Sequence, residues 1–143
     1  FNTNMYDFTF VHYYKAKNWY LAATHSNGIL VIQNNKIINR WDETNSPLKR
    51  QPPLNLIKIS GIAEDSKGNI WMGSFGSDAP LICLTKAGLW KTFDIGTSEV
   101  RDITIDNQDR KWMILQTGGS AFGTISTKSS PCSWAIFRAS SRE

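Results

Sequence analysis

The stretch from Ile59 to Ser74 reads ISGIAEDSKGNIWMGS. It parses as strand, tight turn, strand. ISGIAED alternates along an extended chain, whose side chains point to opposite faces with a period of two. Asp65-Ser66-Lys67-Gly68 then places Asp at the first position and Gly at the fourth position of a type I turn. NIWMGS is a second strand, with Ile70 and Met72 on one face and Trp71 on the other. Gly76, Ser77, Asp78 and Pro80 mark a longer loop. LICLT is a third strand, Lys86-Ala87-Gly88 turns the chain, and LWKTFDI is a fourth. Four short antiparallel strands joined by Gly and Asp turns predict a propeller blade, strands A to D.

The unit recurs. Trp19 and Trp41, Trp71 and Phe93, and Trp112 and Trp134 are each 22 positions apart. Trp41, Asp42 and Ser46 align with Phe93, Asp94 and Ser98; Ile59, Ile62, Asp65 and Trp71 align with Val100, Ile103, Asp106 and Trp112. A self-similar period of about 40 to 50 residues is the signature of a repeat architecture. The units are placed at about 7–46, 59–98 and 100–137. The segment PLKRQPPLNLIK (47–58) is an insertion whose three prolines deny it a place in a central strand. In the first unit FTFVHYY is strand A, with Tyr13 in the Asp65 column, and strands C and D flank an Asn34-Asn35 turn. In the third, Asp109 replaces Gly68, and Gly118-Gly119 thicken the B–C loop.

The expected fold is therefore all-β, about three four-stranded antiparallel blades of a partial β-propeller. Trp19, Trp41, Trp71, Phe93, Trp112 and Trp134 are assigned to the core between blades. Burying one such ring removes ~150–250 Å² from water, roughly 4–6 kcal/mol gross at ~25 cal/mol per Å². Propellers use four to eight blades. Three leave a flank exposed, so the expected partners are the remaining blades of a parent protein or another copy of the chain. The chain starts at Phe1 rather than Met, which is read as a processed or excised piece.

Composition narrows function by exclusion. Apolar content of 41% and charge of 20% fit a folded globular chain. No run of 18 apolar residues predicts a membrane helix. The net charge of +4 is modest, with short basic pairs at Lys49–Arg50 and Arg110–Lys111. Cys83 and Cys132 form no metal motif; an oxidising compartment would allow them to pair. His12 and His25 lack metal-binding spacing, and a Ser–His–Asp set built on His25 has no support beyond composition. Asp106-Asn107-Gln108-Asp109 lacks the Gly and distal Glu of an EF-hand and fills the A–B turn column. Gly118-Gly119 is followed by no Lys-Ser and no helix, so it is no phosphate loop. The aromatics follow the blade period rather than a basic surface stripe, so no nucleic-acid partner is expected. No catalytic residues, metal or cofactor are assigned.

ISGIAEDSKGNIWMGS resembles the repeat of bacterial two-component regulator propeller proteins, in which an acidic turn and Gly-Asn precede Ile-Trp-hydrophobic-Gly. PLICLTKAGLWKTFDI followed by VRDITIDNQDRKWMIL, with Asp-Asn-x-x-x-Lys-Trp at the third strand B, is similar to consecutive blades of PorZ-like propellers of the type IX secretion system. NSPLK after Trp41 resembles the linker between such blades, and the Gly-Leu-Pro element more frequent in sensor propellers is absent. The resemblance implies a non-catalytic cell-envelope protein, periplasmic or at the cell surface. Such proteins assist attachment of secreted cargo, bind anionic lipopolysaccharide and work beside a sortase and other envelope proteins. The alternatives are the periplasmic ligand-sensing domain of a hybrid two-component regulator and, less favoured, an enzyme on a propeller scaffold.

In a propeller the D–A and B–C loops share one face. Here that face would display His25, Asn27, Lys49, Arg50, Ser77, Asp78 and Arg101. Loops on a rigid scaffold are the usual seat of binding. The candidate binding residues are Lys49, Arg50, Ser77, Asp78 and Arg101, with the cations available to phosphate or carboxylate groups of an anionic glycan.

Overall fold

A computed structural model describes residues 7–115, together with the backbone of 121–126 and 135–138. Twelve strands form three separate four-stranded antiparallel sheets. The first sheet holds β1 (Phe8–Tyr14), β2 (Trp19–Thr24), β3 (Ile29–Gln33) and β4 (Lys36–Trp41). The second holds β5 (Ile59–Glu64), β6 (Ile70–Ser74), β7 (Leu81–Leu84) and β8 (Trp90–Phe93). The third holds β9 (Val100–Ile105), β10 (Lys111–Leu115), β11 (Ala121–Ser126) and β12 (Ala135–Arg138). In each sheet the strands lie side by side in chain order, the up-and-down meander of a propeller blade.

The sheets stack face to face. One core cluster lies between blades 1 and 2, with Leu21, Ala23, Ile29 and Val31 facing Ile62, Ile70, Met72 and Ile82. The other lies between blades 2 and 3, with Trp71, Leu81 and Cys83 facing Val100, Ile103 and Met113. Blade 2 is covered on both faces, and every residue of β6 and β7 is buried. Glycine permits the closest approach. An added Cβ at Gly61 would lie 2.7 Å from the backbone nitrogen of Ile103 on β9.

Two of the 22-residue spacings are ring contacts. Trp71 and Phe93 stack at 5.6 Å, and Trp19 meets Trp41 edge to face at 6.4 Å. Trp41 and Trp71 are buried, whereas Trp19 and Phe93 are half-buried. Trp112 departs from the core assignment, being 39% exposed. It occupies the Trp71 column, but on the face of blade 3 that no described blade covers. Trp134 and Cys132 lie outside the described residues, as do Gly118 and Gly119.

The turns follow backbone chemistry. Asn34 and Asn35 have φ of 49° and 59°, as a hairpin turn of the primed type requires. Gly68 has φ of 78°, and Asp109 reaches the same left-handed region at 60°. Blade 1 differs from expectation here. Trp19 pairs with Tyr14, whereas Trp71 pairs with Ala63 and Trp112 with Thr104. The first A–B turn is therefore shorter, and Tyr13 does not stand in the Asp65 column. The insertion is also more than a linker, because Leu48 and Ile57 are almost wholly buried in the first core cluster.

The A–B turns are stitched between blades. Glu64 of blade 2 accepts the backbone N–H groups of Lys15 (2.8 Å) and Ala16 (3.1 Å) in blade 1. The Tyr14 hydroxyl donates to the carbonyl of Gly68 at 2.8 Å. Asp109 of blade 3 accepts from the Ser66 N–H at 2.8 Å and from its hydroxyl.

Candidate functional site

At the opposite end of the blades, the B–C loops of blades 1 and 2 each pair with the next D–A connection, and the second also pairs with the one before it. Ile57 N–H donates to Ser26 O at 3.0 Å, Phe75 N–H to Lys58 O at 3.0 Å, and Gly76 N–H to Ser98 O at 2.7 Å. These bonds set the residues just outside β5, β6 and β9 beside one another. The Arg101 guanidinium lies over the Phe75 ring at 4.5 Å, and Lys58 Nζ lies 5.8 Å from the same ring. Two cations thus contact one aromatic ring, an arrangement that orients them without neutralising either. Arg101 is exposed and Lys58 half-exposed.

The remaining candidates divide. Lys49 and Asp78 are exposed on the surface. Arg50 is committed to structure: Nε pairs with Glu43 at 2.5 Å, and Nη1 donates to the carbonyls of Ser26 (3.4 Å) and Asn55 (3.1 Å). Ser77 is only 5% exposed, and its Oγ accepts the Ala79 N–H at 3.4 Å. The expectation that Ser77 is displayed on the loop face is corrected, because it is buried, whereas Arg50 stays partly exposed with its guanidinium engaged. The B–C loop conformation buries Ser77, and Glu43, Ser26 and Asn55 together engage Arg50. Lys58 and Phe75 were not among the sequence candidates. The signal lay in the hairpin register: Ile59 pairs with Ser74, so the next residues outward, 58 and 75, must meet.

Titratable groups elsewhere serve the turns. Asp42 is nearly buried, which pushes its carboxyl up, but hydrogen bonds from Thr44 and Arg40 outweigh burial and hold it below the usual carboxylate range. Asp109 is lowered by its two hydrogen bonds from Ser66. Burial of His12 lowers its imidazole, with Glu64 opposing. His25 is exposed. Among the described residues, no group of three or more His, Cys, Asp or Glu side chains is placed to hold a metal ion, and no helix is long and apolar enough to cross a membrane.

A family model described as the two component regulator propeller matches residues 53–76. That segment is similar to a regulator-propeller repeat. It spans the end of the insertion and the A–B hairpin of blade 2. The structure superposes on PorZ, described as an essential bacterial surface component of the type-IX secretion system of Porphyromonas gingivalis, with a TM-score of 0.67 and 17% identity, covering 79% of this chain and 16% of PorZ. It also superposes on the extracellular domain of a putative hybrid two component system from B. thetaiotaomicron, with a TM-score of 0.66 and 21% identity, covering 92% of this chain and 17% of that one. No curated protein matches. At such identities the likeness establishes the propeller fold, and the chain spans about a sixth of either structure.

Proposed function

We propose that this chain is a non-catalytic propeller module of the cell envelope, PorZ-like, which supports type IX secretion or surface attachment by binding anionic lipopolysaccharide or envelope proteins. The observation that carries this reading is the pair of cations, Arg101 and Lys58, held over Phe75 on the loop face. Cations oriented on a rigid scaffold suit phosphate and carboxylate groups. Exposed Lys49 extends the positive surface. The end blades take further propeller blades: blade 1 exposes Val11, Tyr13, Tyr20 and Ile37, and blade 3 exposes Trp112 and Ile114.

The test is binding to immobilised anionic lipopolysaccharide, comparing the chain with Lys58→Ala/Arg101→Ala. A loss of about tenfold in affinity, equivalent to ~1.4 kcal/mol, supports the loop face. Unchanged affinity removes it. A second reading, the ligand-sensing domain of a hybrid two-component regulator, is favoured by the match to the sensor ectodomain over 92% of the chain. The parent gene separates the two: a following membrane helix and kinase favour the sensor, and a C-terminal sandwich domain favours secretion.

A further inference from the structure

The seam between blades 1 and 2 opens into a groove of about 280 Å³, lined by Trp19, Trp41, Trp90, Lys17, Lys86 and Asn39 among others. Trp90, on β8, meets Trp41 edge to face at 5.3 Å, which continues the Trp19–Trp41 contact across the seam. Lys17 comes from the A–B turn of blade 1 and Lys86 from the C–D turn of blade 2, and both are exposed. No Asp or Glu lines the groove.

The polar inventory of this groove is one-sided. Trp71 and Trp112 give their indole N–H groups to Asp65 and Asp106. Blade 1, with its shorter A–B turn, has no such aspartate. The indole N–H groups of Trp19, Trp41 and Trp90 make no hydrogen bond among the described residues, and neither lysine has an ion-pair partner there. The acceptors, by contrast, are engaged. Asn39 Oδ1 takes the Arg40 N–H at 2.8 Å, and Thr85 Oγ1 takes the Leu89 N–H at 2.9 Å. Asn45 is engaged on both sides, receiving the Asp42 N–H and donating to the Arg40 carbonyl. Tyr14 gives its hydroxyl proton to Gly68. The groove therefore offers the half-buried rings of Trp19 and Trp90, indole donors without an acceptor among the described residues, and two lysines without an ion-pair partner there.

A complementary ligand is a ring with an apolar face, acceptors around its rim and an acidic group. We propose that this groove binds an acidic saccharide unit, with the C–H face of the sugar on the indoles and its carboxylate or sulfate at Lys17 and Lys86. An aromatic acid fits less well, because its acceptors sit at one end and the edge-to-face indoles leave no parallel slot for a flat ring. The inference uses none of the residues of the Phe75 cluster and stands apart from the function proposed above.

The experiment is titration of the 143-residue chain with digalacturonate, read by intrinsic tryptophan fluorescence, with cellobiose and benzoate as controls. The expected result is a saturable change with digalacturonate. It should weaken about tenfold in Lys17→Ala/Lys86→Ala, whose melting temperature stays that of the parent, and persist in Arg101→Ala. Absence of a saturable change, equal binding by the double-lysine variant, or equal affinity for cellobiose or benzoate would overturn the proposal. Loss in Arg101→Ala without loss in the lysine variant would assign the binding to the loop face and equally overturn it.

Discussion

The indole N–H of Trp71 donates to the carboxylate of Asp65, six residues upstream, at 2.9 Å. The same carboxylate accepts the N–H groups of Lys67 and Asn69 and the Asn69 side-chain amide. Blade 3 repeats the device: Asp106 accepts from Gln108, Arg110 and, at 2.8 Å, the Trp112 indole. One aspartate thus closes the A–B turn and orients the indole, which in blade 2 fills the interface with blade 3 and in blade 3 stays exposed. Asp65→Ala leaves the buried Trp71 indole and three part-buried donors unanswered and removes the carboxylate 4.0 Å from the nearly buried Lys111. Hydrogen bonds to charged groups are worth ~1.5–3 kcal/mol each, but not additively. The expected net loss is roughly 2–4 kcal/mol, with Asp65→Asn milder, both measured by urea denaturation.

Trp71 is the largest side chain between blades 2 and 3, stacked on Phe93 and placed under Lys111 Nζ at 4.6 Å. Trp71→Ala is expected to cost about 3–5 kcal/mol and to promote aggregation by opening the interface. A soluble variant with an unchanged melting point would sink this packing assignment.

Gly61 tests the blade spacing from the opposite direction. A methyl group there meets the Ile103 backbone nitrogen, which cannot move without shifting β9. Gly61→Ala is expected to destabilise by about 1–3 kcal/mol despite its favourable effect on the unfolded chain. Thermal melts of the variant and the parent decide it.

Acid sensitivity follows from groups whose folded-state pKa is depressed. Asp42, Asp106 and Asp109 all lie below the ordinary carboxylate value. Their contribution is fully present above about pH 4–5 and is lost as pH falls through the lower folded values, because the unfolded chain then binds more protons. His12, lowered by burial, acts earlier: stability declines as pH falls below its unfolded value of 6.5. A stability profile measured by urea denaturation should therefore fall in two stages on acidification. His12→Gln should remove the upper stage and leave the lower one, and an unchanged upper stage would contradict the assignment.

Much of the architecture was legible because local signals agreed. The Trp–aromatic spacing became ring contacts in blades 1 and 2, and Asp109 took the left-handed conformation of Gly68 because Asp tolerates it better than most residues. The first A–B turn was misread because aligning Trp19 with Trp71 assumes equal turn lengths, and the pairing of Tyr14 with Trp19 shows they differ. Trp112 looked like core because sequence reports a residue's column, not whether another blade covers it. The Phe75 cluster and the seam of Trp19, Trp41 and Trp90 were illegible for a related reason: their members come from different blades, and only tertiary register brings them together.

The central claim is that three blades stack with an apolar flank open at each end. The most direct measurement is light scattering on a sizing column across a range of concentrations, for the parent and for Tyr20→Glu/Trp112→Glu. The expected result is concentration-dependent mass above the 16.2 kDa of a single chain for the parent, returning to that mass in the double variant. A parent that stays at 16.2 kDa at every concentration, as stable and soluble as the variant, would contradict it.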